Sequence, residues 1–398
     1  MTLLSVEDAR SRMLAAARPM NLETVTLAAA LGRVLAQDVR ASRDQPPFAA
    51  SAMDGWAVRS SDCPGRLRIA GESAAGRAYA HSLGAGEAVR IFTGAPVPAG
   101  ADAVVIQEDA HREGNLVAMP PVSDPRYIRP AGQDFVAGTL LLARGIRLDA
   151  WRLSLAAAAG APGLAVAQRP KIIILSTGEE IVAPGGVPGP FQIFNSGTTA
   201  LAALIEGWGG APDALTEVGD DADAIAAAVA SAGGDLIVTI GGASVGDHDL
   251  VKPALRTLGL EMIVESVAVR PGKPTWFGAL ADGRGVLGLP GNPASAMVCA
   301  ELFLRPLLFA MQGADPAVGL IAARTTTALA ENGAREHWMR ASLTYGADGA
   351  VGATAFRDQD SALVSVFARA DALVRRVARA PAVEPGGLVQ ALRLRRQV

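Results

Sequence analysis

Apolar and polar positions divide the chain into stretches of different period. Leu4, Ala9, Met13 and Ala17 recur at helical spacing, and the apolar run from Val25 to Leu35 continues a helical pattern to about residue 40. The two prolines of ASRDQPPF then break it. Residues 41–129 carry short apolar runs (WAVRS, LRIAG, AVRIF, AVVIQ, NLVAM) with Gly and Pro between them, which predicts a β-rich domain. A helical pattern returns over 138–168, most clearly in DAWRLSLAAAAGA.

The next stretch alternates. KIIILS (Lys171 to Ser176), DLIVTIGG and VLGLPG read as strands; TTALAALIEGWG, DADAIAAAVASAG, VKPALRTLG and ASAMVCAELFLRPLLFAM read as helices. Such alternation predicts a largely parallel sheet with helices on both faces, whose ligands bind beyond the carboxyl ends of the strands. After about residue 313 short strands resume (HWMRASLTY, ALVRRVA, GLVQALRL), predicting a small β-barrel or sandwich.

A chain of 398 residues exceeds what one core supports. A net charge of −3 argues against a broad nucleic-acid footprint. Cys63 and Cys299 stand far apart, so neither a disulfide framework nor a zinc site is expected, and a reducing cytoplasm fits. Glu7 and Asp8 interrupt any signal-peptide pattern, and no run of eighteen apolar residues suggests a membrane span. Among the 36 basic residues only Lys171, Lys252 and Lys273 are lysines, so a lysine inside a Gly–Pro loop invites a specific reason.

Three Gly-rich loops crowd the alternating region: DLIVTIGGASVGDHD (Asp235 to Asp249), VAVRPGKP (Val267 to Pro274) and VLGLPGNPASA (Val286 to Ala296). Bare backbone amides in such loops can approach an anion closely, which points to a phosphate-bearing or oxyanion ligand. In the third loop Asn292 suits an N-cap and Pro293 the first helical position, leaving the amides of Ala294, Ser295 and Ala296 for an anion; a capped helix without ligand is the plainer alternative. In the first, Ser244 adds a hydroxyl while Asp247 and Asp249 stand at a helix entrance. A carboxylate beside phosphate requires a divalent cation between them, so magnesium follows if phosphate binds. STGEE (Ser176 to Glu180) repeats that logic, and SAMDGWAV, FTGAPVPAGAD and IRPAGQD place Asp54, Thr93 beside Gly94, and Arg129 near Asp134 in turns. His81, His111, His248 and His337 fit no metal spacing and are expected at the surface. A Walker loop, Gly-x-x-x-x-Gly-Lys-Ser/Thr, is missing.

Seven motifs in order (SAMDGWAV, IFTGAPVPAGADAVV, IRPAGQD, STGEE, GGASVGDHD, VRPGKP, LPGNPASA) resemble the molybdopterin molybdenumtransferase family, MoeA in bacteria and the gephyrin E-domain in animals. The resemblance covers roughly residues 5 to 310, and more loosely the tail around RDQDSALVSVFARADAL. It implies α/β plus β architecture in four parts: a discontinuous helical linker domain (1–40 and 130–168), an elongated β-domain (41–129), a three-layer α/β/α molybdopterin-binding domain (169–312) and a small C-terminal β-barrel (313–398). It also implies a cytoplasmic homodimer that turns adenylylated molybdopterin and molybdate into molybdenum cofactor and AMP with magnesium. Its partners would be a molybdopterin adenylyltransferase and molybdoenzymes or their chaperones, with neither nucleic acid nor membrane involved.

By the same resemblance, Asp54, Thr93, Asp134, Glu180 and Asp249 are the catalytic positions, with Glu180 and Asp249 as metal ligands. Substrate would be bound by Arg129, Ser176, Thr177, Gly178, Asp220, Gly241, Gly242, Ser244, Gly246, Arg270, Gly272, Lys273, Pro290, Gly291, Asn292, Pro293 and Ser295. The chain departs from the family pattern where lysines are usual, at Ser266 and Arg270. It also departs where Asp-Ser-Asn is usual, at Asn195-Ser196-Gly197, and at Gln133, where an acid is common. Two alternatives stay open at this point: a molybdopterin adenylyltransferase, and a non-catalytic molybdopterin-binding scaffold.

Overall fold

The computed structural model describes residues 3–122, 127–178, 180–215, 218, 221–241 and 250–394. Helix α1 (Val6–Ala15) is capped by Ser5, whose hydroxyl accepts the Asp8 N–H at 3.0 Å. Its buried stripe of Val6, Ala9 and Met13 packs into the core of the α/β unit rather than into its sequence neighbours. The helical expectation for Val25 to Leu35 fails. Leu22–Val25 is a strand paired antiparallel with Leu164–Ala167, and only the single 3₁₀ turn Leu27–Ala29 follows. Gly32 at φ 74° leaves the helical region, and Val34 and Leu35 bridge to Arg147 and Val166 instead.

Likewise 138–168 contains one helix, α2 (Ala150–Ala158), capped by Asp149. Glycines with positive φ at 145 and 160 flank it, and Leu140–Leu142 is a strand. Alanine-rich composition favours helix locally, but those glycines and the strand pairing at each end confine it to nine residues.

The short runs of the β-rich region all form strands of one six-stranded sheet, in the order Ala103–Ile106, Gly55–Val58, Glu87–Ile91, Gly65–Ser73, Leu116–Met119, His111–Glu113. Period-two alternation sends Trp56 and Val58 to one apolar cluster and Ala57 to the other, so both faces of the sheet are covered.

In the alternating region a second six-stranded sheet runs Ala211–Leu215, Lys171–Ser176, Leu236–Ile240, Gly285–Leu289, Trp276–Ala279, Glu261–Val264. The first four strands are parallel, and the last two add an antiparallel edge that the sequence pattern did not reveal. Ile172 and Ile174 face α1, α3 (Ser196–Gly207) and the long C-terminal helix; Ile173 and Leu175 face α4 (Ala222–Ser231) and α5 (Val251–Thr257). That long helix comprises α6 (Pro293–Cys299), a π-helical turn (Ala300–Leu304) and α7 (Arg305–Met311). The π turn falls just before Pro306, which has no N–H to continue the α-helical ladder. By composition Pro293–Met311 could cross a membrane, yet 83% of its most apolar window is buried, as befits a core helix.

Five strands of the C-terminal region close into a barrel in the circular order Glu336–Tyr345, Val351–Ala355, Leu320–Thr325, Leu388–Arg393, Ala372–Arg376. Small residues (Ala323, Ala341, Ala353, Ala372, Ala391) fill its interior. The two-residue strand Val269–Arg270, from the second Gly-rich loop, lies parallel against Glu336–His337 and ties barrel to α/β unit. The short helix α8 (Val364–Arg369) completes the unit.

Candidate functional site

In the β-rich unit, Asp54 occupies the turn between Ala50–Ser51 and Gly55–Val58. The Ser51 hydroxyl donates to the Met53 carbonyl at 2.6 Å and the Gly94 N–H to the Ser51 carbonyl at 2.8 Å, bringing the Thr93 turn alongside. Asp54 Oδ1 accepts both the Thr93 N–H (2.7 Å) and the Thr93 hydroxyl (2.8 Å). These two bonds, with Arg90 nearby, hold the Asp54 carboxyl below its ordinary value. Arg90 itself is fixed over the rings of Trp56 (5.3 Å) and Phe92 (5.0 Å) and bonded to Gln107 at 2.6 Å. Arg129 and Asp134, both exposed, line a pocket of about 640 Å³ with Gly94, Arg43, Gln45 and Phe48. The turn of Asp54 and Thr93 adjoins that pocket through Gly94.

A second concavity of about 620 Å³ opens beyond the carboxyl ends of the parallel strands, as expected for this architecture. Thr177, Glu180, Gly241, Pro290, Gly291, Asn292 and Pro293 line it, so the STGEE loop, the start of GGASVGDHD and the LPGNP loop do converge. Ser176 and Gly178 face an adjoining hollow of about 470 Å³. Gly241, at φ 87°, lies where a Cβ would stand 3.3 Å from the Thr177 carbonyl, and a Cβ on Gly291 would stand 3.5 Å from Gly241 Cα. Backbone conformation and close packing therefore account for Gly241 without a ligand, whereas a Cβ on Gly291 would meet only ordinary van der Waals contact. Asn195 caps α3 by accepting the Thr198 N–H at 3.0 Å and donates to Ser176 Oγ at 3.3 Å. Ser295 is buried at the start of α6. The expected site residues Asp220, Gly242, Ser244, Gly246 and Asp249 lie outside the described residues.

Two readings of the sequence need correction. Asn292 occupies the N-cap position of α6, but its side chain does not cap it; Nδ2 donates to Ser361 Oγ at 2.8 Å. The Ala294 N–H donates to the Ser361 carbonyl at 3.1 Å and the Ala296 N–H to the Asn292 carbonyl at 3.0 Å, so these amides are engaged by protein. His337 is not a surface residue. It is buried in the barrel wall, and burial, reinforced by Arg270, Arg340, Arg335 and Arg376, pushes its imidazole down to about 4.

Arg270 and Lys273 are exposed, while Gly272 between them is buried at φ 117° against the side chain of Cys299. Of this loop only Pro274 reaches the 620 Å³ pocket. Among the described residues no three His, Cys, Asp or Glu side chains gather as a metal cluster. Glu180 offers one exposed carboxylate, hard oxygen chemistry suited to magnesium.

Sequence reasoning missed two walls of the pocket. One is the flap of paired strands Ile181–Val182 and Ile193–Phe194, where Val187 is 94% and Phe191 91% exposed. The other is Ala362 and Val364 from the C-terminal unit. Exposed aromatics amid Gly and Pro were the signal available for the flap; nothing local in the sequence announces the second wall.

Comparison with known proteins agrees over almost the whole chain. Residues 4–160 match the model of the MoeA N-terminal region (domain I and II), 173–310 the probable molybdopterin binding domain, and 322–394 the MoeA C-terminal region (domain IV). A molybdopterin molybdenumtransferase of Nostoc sp. is 36% identical over 337 residues, covering 81% of this chain and 77% of the relative. Molybdopterin molybdenumtransferase 2 of Mycobacterium tuberculosis is 38% identical over 353 residues, covering 84% and 86%. The crystal structure of the molybdopterin biosynthesis moea protein from Pyrococcus horikosii superposes with a TM-score of 0.83 at 30% identity, covering 100% of both chains.

Proposed function

The chain belongs to the MoeA family of molybdopterin molybdenumtransferases, enzymes of molybdenum cofactor biosynthesis, and from that premise we propose that it inserts molybdate into adenylylated molybdopterin with release of AMP. The observation that supports this most is the convergence of three backbone-rich loops on one pocket of about 620 Å³ with a second hollow beside it. A pterin nucleotide needs that much room, and its phosphates suit the amides and hydroxyls of Thr177, Gly241, Gly291 and Ser176. Molybdate, a second oxyanion, is taken by the exposed cations Arg270 and Lys273. Asp54, kept ionised by Thr93, accepts a proton from the water that opens the phosphoanhydride; Arg129 and Asp134 hold the substrate's other end.

Glu180, with Asp249 and the substrate phosphates, would hold magnesium, which supplies charge neutralisation at the anhydride. In this reading the protein is a cytoplasmic homodimer in which the β-domain pocket of one protomer faces the α/β loops of its partner. A molybdopterin adenylyltransferase delivers the substrate, and molybdoenzymes or their chaperones take the product. The domains divide at 40/41, 129/130, 168/169 and 312/313.

The test is AMP release from adenylylated molybdopterin by the purified protein, with magnesium, with and without molybdate. Molybdate-dependent release is expected. Release that ignores molybdate, or tight binding with no release, would refute the insertase reading.

A further inference from the structure

The LPGNP loop owes its position to a residue far away in sequence. Ser361, from the C-terminal unit, accepts the Ala294 N–H on its carbonyl at 3.1 Å and the Asn292 amide on its hydroxyl at 2.8 Å. Its neighbours Ala362 and Val364 form part of the wall of the 620 Å³ pocket. Ser361 is itself carried by a loop bolted to the barrel strand Glu336–Tyr345. Gln359 Oε1 accepts the Arg340 N–H at 2.9 Å and Arg340 Nε–H at 3.2 Å. Gln359 Nε2 donates to the carbonyls of Arg340 (2.9 Å) and Phe356 (2.8 Å). A primary amide has four hydrogen-bonding positions, and all four are used. The Arg340 side chain, fully buried, adds a bond from Nη1 to the Asp360 carbonyl at 2.8 Å.

These bonds fix the loop that carries Ser361 against the barrel strand. We infer that Gln359 is a positioning residue. Through Ser361 it fixes the LPGNP loop, and the barrel thereby sets the affinity of the α/β pocket for its pterin–nucleotide substrate. The barrel is then a working wall of the site rather than an appendage. Only the substrate named here rests on the molybdate-transfer reading; the strut itself does not.

The experiment compares the full-length protein with its Gln359→Leu, Ser361→Ala and Ser361→Thr variants in two ways. Amide hydrogen exchange reads residues 290–298 and 356–363, and steady-state kinetics with adenylylated molybdopterin reads KM and kcat separately. Gln359→Leu should accelerate exchange in both segments and raise KM by about five- to thirty-fold, the worth of one or two hydrogen bonds, with kcat within about two-fold. Ser361→Ala should do the same to a smaller degree, and Ser361→Thr, which keeps the hydroxyl, should behave as wild type. Faster exchange confined to 356–363, with 290–298 and KM unmoved, would overturn the inference. If Gln359→Leu unfolds, the Ala and Thr variants at 361 decide it. If the wild-type protein releases no AMP, molybdate transfer falls, while exchange still supports or overturns the strut.

Discussion

Replacing Gly272 by alanine tests why the second Gly-rich loop contains glycine. The sequence suggests that glycine there bares the backbone to an anion; the structure gives a steric reason instead. At φ 117° an L side chain is strained, at a cost of about 1–3 kcal/mol. The added Cβ would stand 2.1 Å from Cys299 Sγ and 3.3 Å from Val269 Cγ1. That sulfur cannot swing aside: it is fully buried, and the Thr275 hydroxyl is bonded to it at 3.1 Å and to the Gly272 carbonyl at 2.8 Å. Burial also pushes the thiol up to about 12, so Cys299 acts here as a packing atom rather than a nucleophile. Overpacking of this kind costs a further ~1–3 kcal/mol, giving a loss of roughly 2–6 kcal/mol against a typical total of about 5–15 kcal/mol. Urea midpoints of Gly272→Ala, Cys299→Ala and the double variant separate the two parts. Removing the sulfur relieves the clash but not the backbone strain, so the glycine substitution should cost about 1–3 kcal/mol less in the Cys299→Ala background. A loss below about 0.5 kcal/mol, or an equal loss in both backgrounds, would refute the steric argument.

Thr93→Val removes one of the two donors that hold the Asp54 carboxyl low, so that carboxyl should climb toward its ordinary value. If ionised Asp54 is the active form, the acid limb of the pH profile of AMP release moves to higher pH; an unmoved limb would show that Asp54 is not the titrating group. Glu301, buried in the π turn beside Arg305 (3.1 Å), has its carboxyl raised by burial from 4.5 to about 7. The folded state therefore binds the extra proton between those values, and stability falls as pH rises from 4.5 through 7. Glu301→Gln should flatten that decline, with a thermal midpoint above wild type at pH 8 and about equal at pH 5; a parallel decline would contradict it. Asn195→Ala loses the α3 cap and should cost about 1 kcal/mol by chemical denaturation, whereas Asn195→Asp keeps the cap oxygen and should be near neutral.

What the sequence made legible follows from the range of each signal. Strand periodicity acts over a few residues, so the short runs WAVRS to NLVAM and the strands Lys171–Ser176, Leu236–Ile240 and Gly285–Leu289 were readable directly. Helical periodicity misleads in Val25 to Leu35, because alanine and leucine suit a helix wherever tertiary pairing does not intervene, and here bridges from Val34 and Leu35 to Arg147 and Val166 do. The antiparallel edge strands Glu261–Val264 and Trp276–Ala279 were hidden because each is only four residues long, and a glycine interrupts the second. The LPGNP loop reads as a helix start whose amides serve either an anion or a plain cap, and the protein partner is hidden because no local pattern relates Asn292 to Ser361, 69 positions on.

The RPGKP loop extends the same point to charge. It is gripped from three sides. Near the N-terminus, the Ala268 N–H donates to the Leu4 carbonyl at 2.7 Å. In the barrel, the Glu336 N–H donates to the Ala268 carbonyl at 2.9 Å. In the α/β core, Gly272 rests on Cys299. A loop so held presents Arg270 from a fixed strand, in register with His337, and leaves Lys273 exposed beside buried Pro271 and Gly272. In the molybdate-transfer reading arginine at 270 would suit this frame, because a planar guanidinium on a rigid strand would lose less freedom on meeting an oxyanion than one on a mobile loop. His337 stays neutral in this frame because burial disfavours the imidazolium first, and the surrounding charges of Arg270, Arg340, Arg335 and Arg376 disfavour it further. Where the family pattern has lysine and this chain has Ser266, one positive charge is absent. The geometry that remains concentrates the others, Arg270 and Lys273, on a loop whose backbone three separate parts of the chain hold still.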